Sequence, residues 1–450
     1  MQKRFIISCL ALCIGSTLSF CVTKNNVNFN RNDFFDESVY HGTVNPDIKN
    51  ATVNRFEGLN LSDPYFTGSS SVEYLRNRYY QNITMNYLTD GSMKNIWDNY
   101  TGKNVTVAVI DTGIDIDHED FENAISDKSA YIYTTYSQSG TTYHVTIEKV
   151  SDSPQGMNII KNTYIPSKAI IDSHGTNTAG VIGARNNGKG TIGVAFDCTL
   201  MVLRIDLDYY SIQAAINYAV ANGADVINMS LGGYGESFID GYGKEQTGNA
   251  AIRTFLTAQI NAAYNAGVIL VASAGNEKTS HKSYPACNDH VIGVGALELN
   301  NKSLTADFSN FNGANDNENT CNNVDVVTPG YVVTPEIVGT PSHPDHTYVF
   351  AAGTSFSAPV VAGAAALWKE KNPSGTAHQF TECLKSSCTD IRATGWDKQT
   401  GFGRLNIASL LEVSVPEGCN GNVWYIVFPG VAFGLCLILI ALRRTKSNQN

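Results

Sequence analysis

Three side chains, far apart in the chain, have the types and settings that nucleophilic catalysis needs. Ser355 lies in Gly353-Thr354-Ser355-Phe356-Ser357-Ala358-Pro359, a tight Gly/Thr turn running into the apolar, alanine-rich stretch 360–368. Alanine favours helix, and proline is tolerated in a helix's first turn, where its missing N–H would have had no partner. Ser355 is therefore expected at or just before a helix N-terminus, where unpaired N–H groups and the macrodipole favour developing negative charge. That setting suits a nucleophile, and it suits a plain helix cap equally well. His174 lies in Asp172-Ser173-His174-Gly175-Thr176-Asn177-Thr178-Ala179-Gly180. Small residues there let a helix carry the imidazole close to another backbone, although a lone histidine is more often structural. Asp111 follows Val105-Thr106-Val107-Ala108-Val109-Ile110, a β-branched run that reads as a buried strand. Hydroxyl, imidazole and carboxylate are the set by which a weak nucleophile is activated.

The elements that must position these groups follow from hydrophobic pattern. Apolar runs recur at Thr199–Ile205, 225–229, 268–272 and 291–294, and helical patterns lie between them, at 211–221 and 250–266. Alternating strands and helices predict an α/β fold with a doubly wound, mostly parallel sheet flanked by helices. In such sheets the carboxyl ends of central strands hold the site, which is where Asp111 falls. No glycine-rich nucleotide fingerprint follows the first strand. Two stretches break the pattern, the Tyr/Thr/Ser-rich 129–153 and the Gly-rich 232–249 with Glu236, Asp240 and Glu245; both read as loop insertions.

The blocks Ala108-Val109-Ile110-Asp111-Thr112-Gly113, His174-Gly175-Thr176 and Gly353-Thr354-Ser355-Phe356-Ser357-Ala358-Pro359 resemble the three signature blocks of the subtilisin-like serine proteases. The order Asp, His, Ser is also that of subtilisin, and the resemblance runs over about residues 103–406. It implies acyl transfer, with Ser355 as nucleophile, His174 as base and then acid, and Asp111 orienting the imidazole. Val271-Ala272-Ser273-Ala274-Gly275-Asn276 resembles the family's oxyanion block, so Asn276 is the implied side-chain donor, with the Ser355 N–H beside it. Ser230-Leu231-Gly232-Gly233 resembles the segment that pairs with an extended substrate main chain, and Ser283 with Tyr284-Pro285 resembles the floor of the pocket before the scissile bond. Asp120, Arg185, Asn187, Lys189 and Thr191 match positions that hold a structural calcium in many relatives, the first and third through side-chain oxygens and the rest through carbonyls. No cofactor is implied for catalysis.

The sequence also departs from the family. Asn177-Thr178 replaces the usual His-Val, and the gap from Asp111 to His174 is about twice that of subtilisin. Asp111-Thr112-Gly113 lacks the second acidic residue of kexin-type processing enzymes. Asp63-Pro64-Tyr65-Phe66 resembles their mature start, yet there is no room for their extra β domain. The acidic residues at 236, 240 and 245 suit either a preference for basic substrate side chains or an ordinary solvated loop.

The two ends set the compartment. Lys3-Arg4 and the apolar stretch 5–18 read as an export signal over 1–19, cut near Ser19 or Cys21. The Asn-rich 20–59 reads as a removable prosegment, and so a candidate inhibitor of its own enzyme, or as a disordered stalk, ahead of a peptidase domain at 60–413. After a juxtamembrane stretch 414–423, residues 424–442 carry no charge, about 28 Å as a helix and enough for one C-terminal transmembrane helix. Trp424 and Tyr425 suit the interface, and Arg443, Arg444 and Lys446 place the tail 443–450 in the cytoplasm. The expectation is a single-pass type I protein of the secretory route, at the cell surface or an internal membrane. Six cysteines remain for the exported part, Cys198, Cys287, Cys321, Cys383, Cys388 and Cys419, with fifteen connectivities open; Cys287–Cys321 and Cys383–Cys388 are the local pairs. Sequons stand at Asn50, Asn60, Asn82, Asn99, Asn104, Asn228 and Asn301, with Asn228 inside an apolar run and so expected unmodified. A net charge of −10 with no basic stripe excludes nucleic acid as partner. The expected partner is a protein or peptide substrate. The competing reading is a catalytically silent binding or adhesive ectodomain on the same fold.

Overall fold

Strand β2 (Thr106–Asp111) lies in the middle of the sheet, and alternate side chains along it feed two separate cores. Val107 and Val109 belong to one hydrophobic cluster, Ala108 and Ile110 to the other, as the two-residue period of a strand buried on both faces requires. The structure is a computed structural model that describes residues 17–23, 93–136, 142–161, 173–299, 301–337 and 347–415. The described residues fall within one unit that ends at Val415.

The remaining strands are β1 (Thr17–Thr23), β3 (Ala130–Tyr136), β4 (Thr142–Lys149), β5 (Thr199–Ile205), β6 (Val226–Met229), β7 (Gly233–Tyr234), β8 (Phe238–Ile239) and β9 (Glu245–Gln246), followed by β10 (Ile269–Ser273), β11 (Ser283–Tyr284), β12 (Val291–Glu298), β13 (Asn301–Thr305), β14 (Val326–Pro329), β15 (Tyr331–Glu336) and β16 (Thr347–Ala352). The main sheet runs β1-β4-β3-β5-β2-β6-β10-β12-β13, with β14 also on β12. Pairing is parallel from β3 through β5, β2, β6, β10 and β12 to β14, and antiparallel at β1–β4, β3–β4 and β12–β13. The doubly wound, mostly parallel sheet expected from the sequence is present.

Helices cover both faces: α1 (Met93–Trp97), α2 (His174–Gly183), α3 (Tyr209–Ala221), α4 (Ile252–Phe255), α5 (Thr257–Asn265), α6 (Thr354–Lys371), α7 (Ala377–Ser387) and α8 (Ile407–Glu412). Buried residues of α2 and α6 join the Val107 cluster, and those of α3 and α5 join the Ala108 cluster. Asp208 caps α3 by accepting from the N–H groups of Tyr210 and Ser211. The single helix expected over 250–266 is broken at Leu256 into α4 and α5.

Several expectations change. The stretch 129–153 is not a loop insertion but the hairpin β3–β4, because Tyr143, Val145 and Ile147 alternate inward while His144 and Thr146 do not. Cys287 and Cys321 form the expected disulfide, closing a separation of 34 residues. Cys383 and Cys388 do not pair. Cys383 is buried within α7 while Cys388 is its C-cap, and five helical steps turn a side chain about 140° away. Asn228 is fully buried, as expected, whereas Asn99, Asn104 and Asn301 are exposed.

Among the described residues no helix is long and apolar enough to cross a membrane. The span 424–442, its flanks, Cys419, most of the signal and prosegment, residues 63–66 and the sequons at 50, 60 and 82 lie outside the described residues. Strand β1 straddles the expected cut near Ser19.

Candidate active site

Asp111 ends β2 at the carboxyl edge of the sheet and is 2% exposed, while His174 opens α2 and is 20% exposed. The His174 Nδ1 lies 2.9 Å from Asp111 Oδ1 and 3.0 Å from Oδ2. Such a pairing fixes the ring and the tautomer, leaving Nε2 for proton transfer. Asp111 also accepts from the Thr112 N–H at 2.7 Å and from the Thr178 hydroxyl at 3.2 Å. The close approach of α2 depends on Gly175, where a Cβ would stand 2.1 Å from the Gly113 carbonyl oxygen. The departure Asn177-Thr178 is thus accommodated: Thr178 faces the buried carboxylate, and Asn177 donates to Pro335 O at 2.6 Å.

Ser355 is the second residue of α6, whose N-cap is Gly353. It is therefore not the helix cap. Pro359 sits one turn deeper than expected, inside the helix. Lacking an N–H, it leaves the carbonyl of Ser355 without its i+4 donor, and the Ser230 hydroxyl donates to that carbonyl instead, at 2.7 Å. Ser230 follows β6 directly, so the loop that flanks the cleft also completes the hydrogen bonding of α6. The Ser355 hydroxyl lies 3.4 Å from Ser230 O, and the Phe356 ring is 5.9 Å from that of His174.

Asn276 follows β10. Its Oδ1 accepts from the Thr354 N–H at 2.8 Å and from the Thr354 hydroxyl at 3.0 Å. With the oxygen held by the first turn of α6, the amide's Nδ2 is the end left to face the cleft. A Cβ at Gly353 would stand 3.5 Å from that Nδ2, in ordinary contact with it. Thr354 was not singled out from sequence; its place between Asn276 and the Gly275 N–H, at 3.1 Å, depends on contacts across about eighty residues.

A cavity of about 60 Å³ joins these groups and is lined by Asp111, His174, Ser355, Asn276, Ser230, Leu231, Gly232 and Ser283, together with Tyr234 and Glu277. Gly232 permits a close approach, since a Cβ there would meet Ser283 Oγ at 2.9 Å. Gly233 lies outside this lining; it sits in β7, in register with Tyr284 of β11. The acidic residues of the insertion also lie outside it. Glu236 pairs with His281 at 2.9 Å and Arg253 at 3.3 Å, and the His281 hydrogen bond holds its carboxyl below the usual value. Asp240 accepts from the N–H groups of Tyr242 and Lys244. The carboxylate that does line the cavity, Glu277, was passed over in the sequence although it adjoins Asn276.

The residues matched to a calcium site lie together beside the 3-10 turn Glu119–Phe121. Asp120 is fully buried, and its carboxylate accepts from the Tyr348 hydroxyl at 2.9 Å and from the Thr191 N–H and hydroxyl at 3.0 and 2.9 Å. All of these donors are neutral. The Arg185 N–H donates to Asp120 O at 2.8 Å, and Asn187 donates to Glu119 O at 2.8 Å while accepting from the Lys189 N–H at 3.0 Å. These contacts bring the residues implied for calcium together, with the N–H and hydroxyl of Thr191 and the N–H of Arg185 directed at Asp120. Among the described residues no cluster of three or more His, Cys, Asp or Glu has the arrangement of a metal site.

The chain is similar in sequence and fold to known proteins. Fervidolysin of Fervidobacterium pennivorans is 27% identical over 384 residues, which cover 80% of this chain and 48% of that protein. Subtilisin NAT of Bacillus subtilis subsp. natto is 33% identical over 318 residues, covering 68% of this chain and 66% of its own length. A solved protease structure from Pseudoalteromonas arctica superposes with a TM-score of 0.57 at 25% identity, over 78% of this chain and 98% of that one. The sequence pattern of the subtilase family matches residues 102–403, the stretch that carries Asp111, His174, Asn276 and Ser355, and the chain belongs to that family.

Proposed function

We propose that the protein is a serine endopeptidase that cleaves peptide bonds in proteins or peptides through an acyl-enzyme. The observation that carries this reading is the Asp111–His174 hydrogen-bonded pair opening onto the same small cavity as Ser355 and Asn276. Ser355 Oγ attacks the carbonyl, His174 takes its proton and returns it to the leaving amine, and the buried Asp111 holds the imidazole and balances its charge. The tetrahedral oxyanion is received by Asn276 Nδ2 and the Ser355 N–H, which points out of the α6 N-terminus. An extended substrate lies along Ser230-Leu231-Gly232, with the side chain before the scissile bond toward Ser283 and Glu277.

A fluorophosphonate probe should label the wild-type protein at Ser355, and Ser355→Ala should abolish both labelling and peptide hydrolysis. A folded wild type that takes no label would sink the reading and leave a silent binding fold.

The Asp120 carboxylate and Asn187 side-chain oxygen, with the carbonyls of Arg185, Lys189 and Thr191, would hold a structural calcium whose role is to fasten the 185–191 loop. Two further parts of the reading rest on sequence alone. The apolar stretch 424–442 with its basic tail anchors the catalytic domain on the extracytoplasmic side as a single-pass type I protein. Residues 20–59 act as a removable inhibitory prosegment behind an export signal. Release of the full chain by an alkaline carbonate wash would reject the anchor, and N-terminal sequencing that starts before residue 60 would reject the removal.

A further inference from the structure

Directly behind the oxyanion turn lies a buried amide that no step of the reaction uses. Asn310 is fully buried on the segment after β13. Its Oδ1 accepts from the N–H groups of Glu277, at 3.0 Å, and Thr279, at 3.1 Å. Its Nδ2 donates to Ala274 O at 2.9 Å and to Glu277 Oε2 at 2.8 Å, and lies 2.9 Å from the Tyr234 hydroxyl. Tyr234 in turn donates to Glu277 Oε2. The Asn310 N–H adds a bond to Gly275 O at 3.0 Å. Ala274, Gly275 and Glu277 are thus all tied to one residue, while Asn276 between them has its side chain toward the cleft.

The contact is close enough to dictate the turn. Gly275 has φ +103°, and a Cβ on it would stand 2.2 Å from Asn310 Nδ2 and 2.6 Å from Glu277 Oε2. The bracing segment is itself fixed: the Ala296 N–H donates to Ser309 Oγ at 3.0 Å, and Asn312 exchanges two hydrogen bonds with Val324, at 2.7 and 3.0 Å. Thr354 grips the oxygen of Asn276 from the α6 side, so Asn310 supplies the second half of the clamp, on the backbone.

We infer that Asn310, with Tyr234 and Glu277 as its partners, is a positioning residue for the oxyanion step, acting through Asn276. The inference rests on Asn276 being an oxyanion donor. Preorganised donors act only where the charge develops, so a turn that relaxes by a fraction of an ångström loses transition-state stabilisation while ground-state binding changes little. A core amide serving the fold alone would move stability and leave turnover unchanged.

The test is a double-mutant cycle in the full chain, with kcat, KM and Tm measured on one peptide substrate. Asn276→Ala alone should lower kcat by about 10²–10³-fold, the loss measured for the corresponding donor in subtilisin; a kcat within about threefold of wild type overturns the reading beneath the inference. Asn310→Ala should lower kcat by about 10–100-fold, with KM held within about threefold. In the Asn276→Ala background the same change should cost less than about threefold in kcat, although Tm falls equally in both. Asn310→Ser and Tyr234→Phe, which each keep part of the network, should repeat this pattern at smaller amplitude and guard against a fold failure of the alanine variant. Folded variants with unchanged kcat, or an equal kcat loss in both backgrounds, overturn the inference.

Discussion

The residues proposed for catalysis are legible one by one because each carries its own local signature, a carboxylate ending a buried strand, an imidazole opening a helix, a serine entering one. Their supporting hydrogen bonds are not, since these join residues that no short window contains. Thr178 is the plainest case. It reads as an unexplained departure from the family pattern, yet its hydroxyl reaches the buried Asp111 carboxylate at 3.2 Å. That bond spreads the carboxylate's negative charge and weakens its hold on the imidazolium of His174. Thr178→Val is nearly isosteric and removes only the donor. With more charge left on Asp111, protonated His174 is favoured, so the acid limb of the kcat/KM profile should move to higher pH. About half a unit is expected, equivalent to about 0.7 kcal/mol. An unmoved limb would show that the hydroxyl is spent on Gly175 O, which it also approaches, at 3.1 Å.

At the scale of elements, hydrophobic period and β-branching located β2, β6 and β10 to within a residue, and Thr199–Ile205 matched at both ends, whereas β12 runs four residues past the expected 294. They did not locate the hairpin β3–β4, whose inward positions are diluted by Tyr and Thr, nor the break at Leu256. Pro359 was expected in the first turn of α6 and stands in the second; its missing hydrogen bond is offset by Ser230 from another element, which sequence spacing cannot reveal. The 185–191 loop carries a prediction of its own. The residues implied for calcium meet around the buried Asp120, and carboxylate and carbonyl oxygens suit that cation. Chelator should lower Tm by several degrees, and Asp120→Asn should remove the difference between chelated and calcium-supplemented protein. Melting that ignores both chelator and added calcium would reject the site.

For the whole molecule, a testable consequence lies far from the cleft, at the amino edge of the sheet. Asp325, just before β14, accepts from the Gly293 N–H at 2.9 Å, and burial outweighs the pull of Lys385 and Lys282 to raise its carboxyl to about 6. The folded value lies above the unfolded one of about 3.9. Between those values the unfolded chain gives up its proton first, so this group makes stability fall as pH rises from about 4 to about 6, and the loss then persists. Asp325→Asn keeps an acceptor for Gly293 and cannot ionise. It should raise Tm at pH 7.5, for a gain of about 1–3 kcal/mol, and leave Tm at pH 3.5 nearly unchanged. An equal gain at both pH values would reject ionisation as the cause.

The amino-acid sequence by itself determined the fold class and the family resemblance, and it singled out Asp111, His174, Asn276 and Ser355 as candidates, because periodicity and short motifs are local properties. It also supplied the disulfide Cys287–Cys321, while missing that α7 turns Cys383 and Cys388 apart. Only the tertiary structure decided that the Oδ1 and not the Nδ2 of Asn276 is held by Thr354, which hydroxyl completes the Ser355 helix, and that Glu277 rather than the acidic insertion lines the cleft. Those outcomes depend on groups 43 to 125 residues apart meeting within hydrogen-bonding distance. Such distances are set by how the sheet twists and the helices pack, and no stretch of sequence contains them.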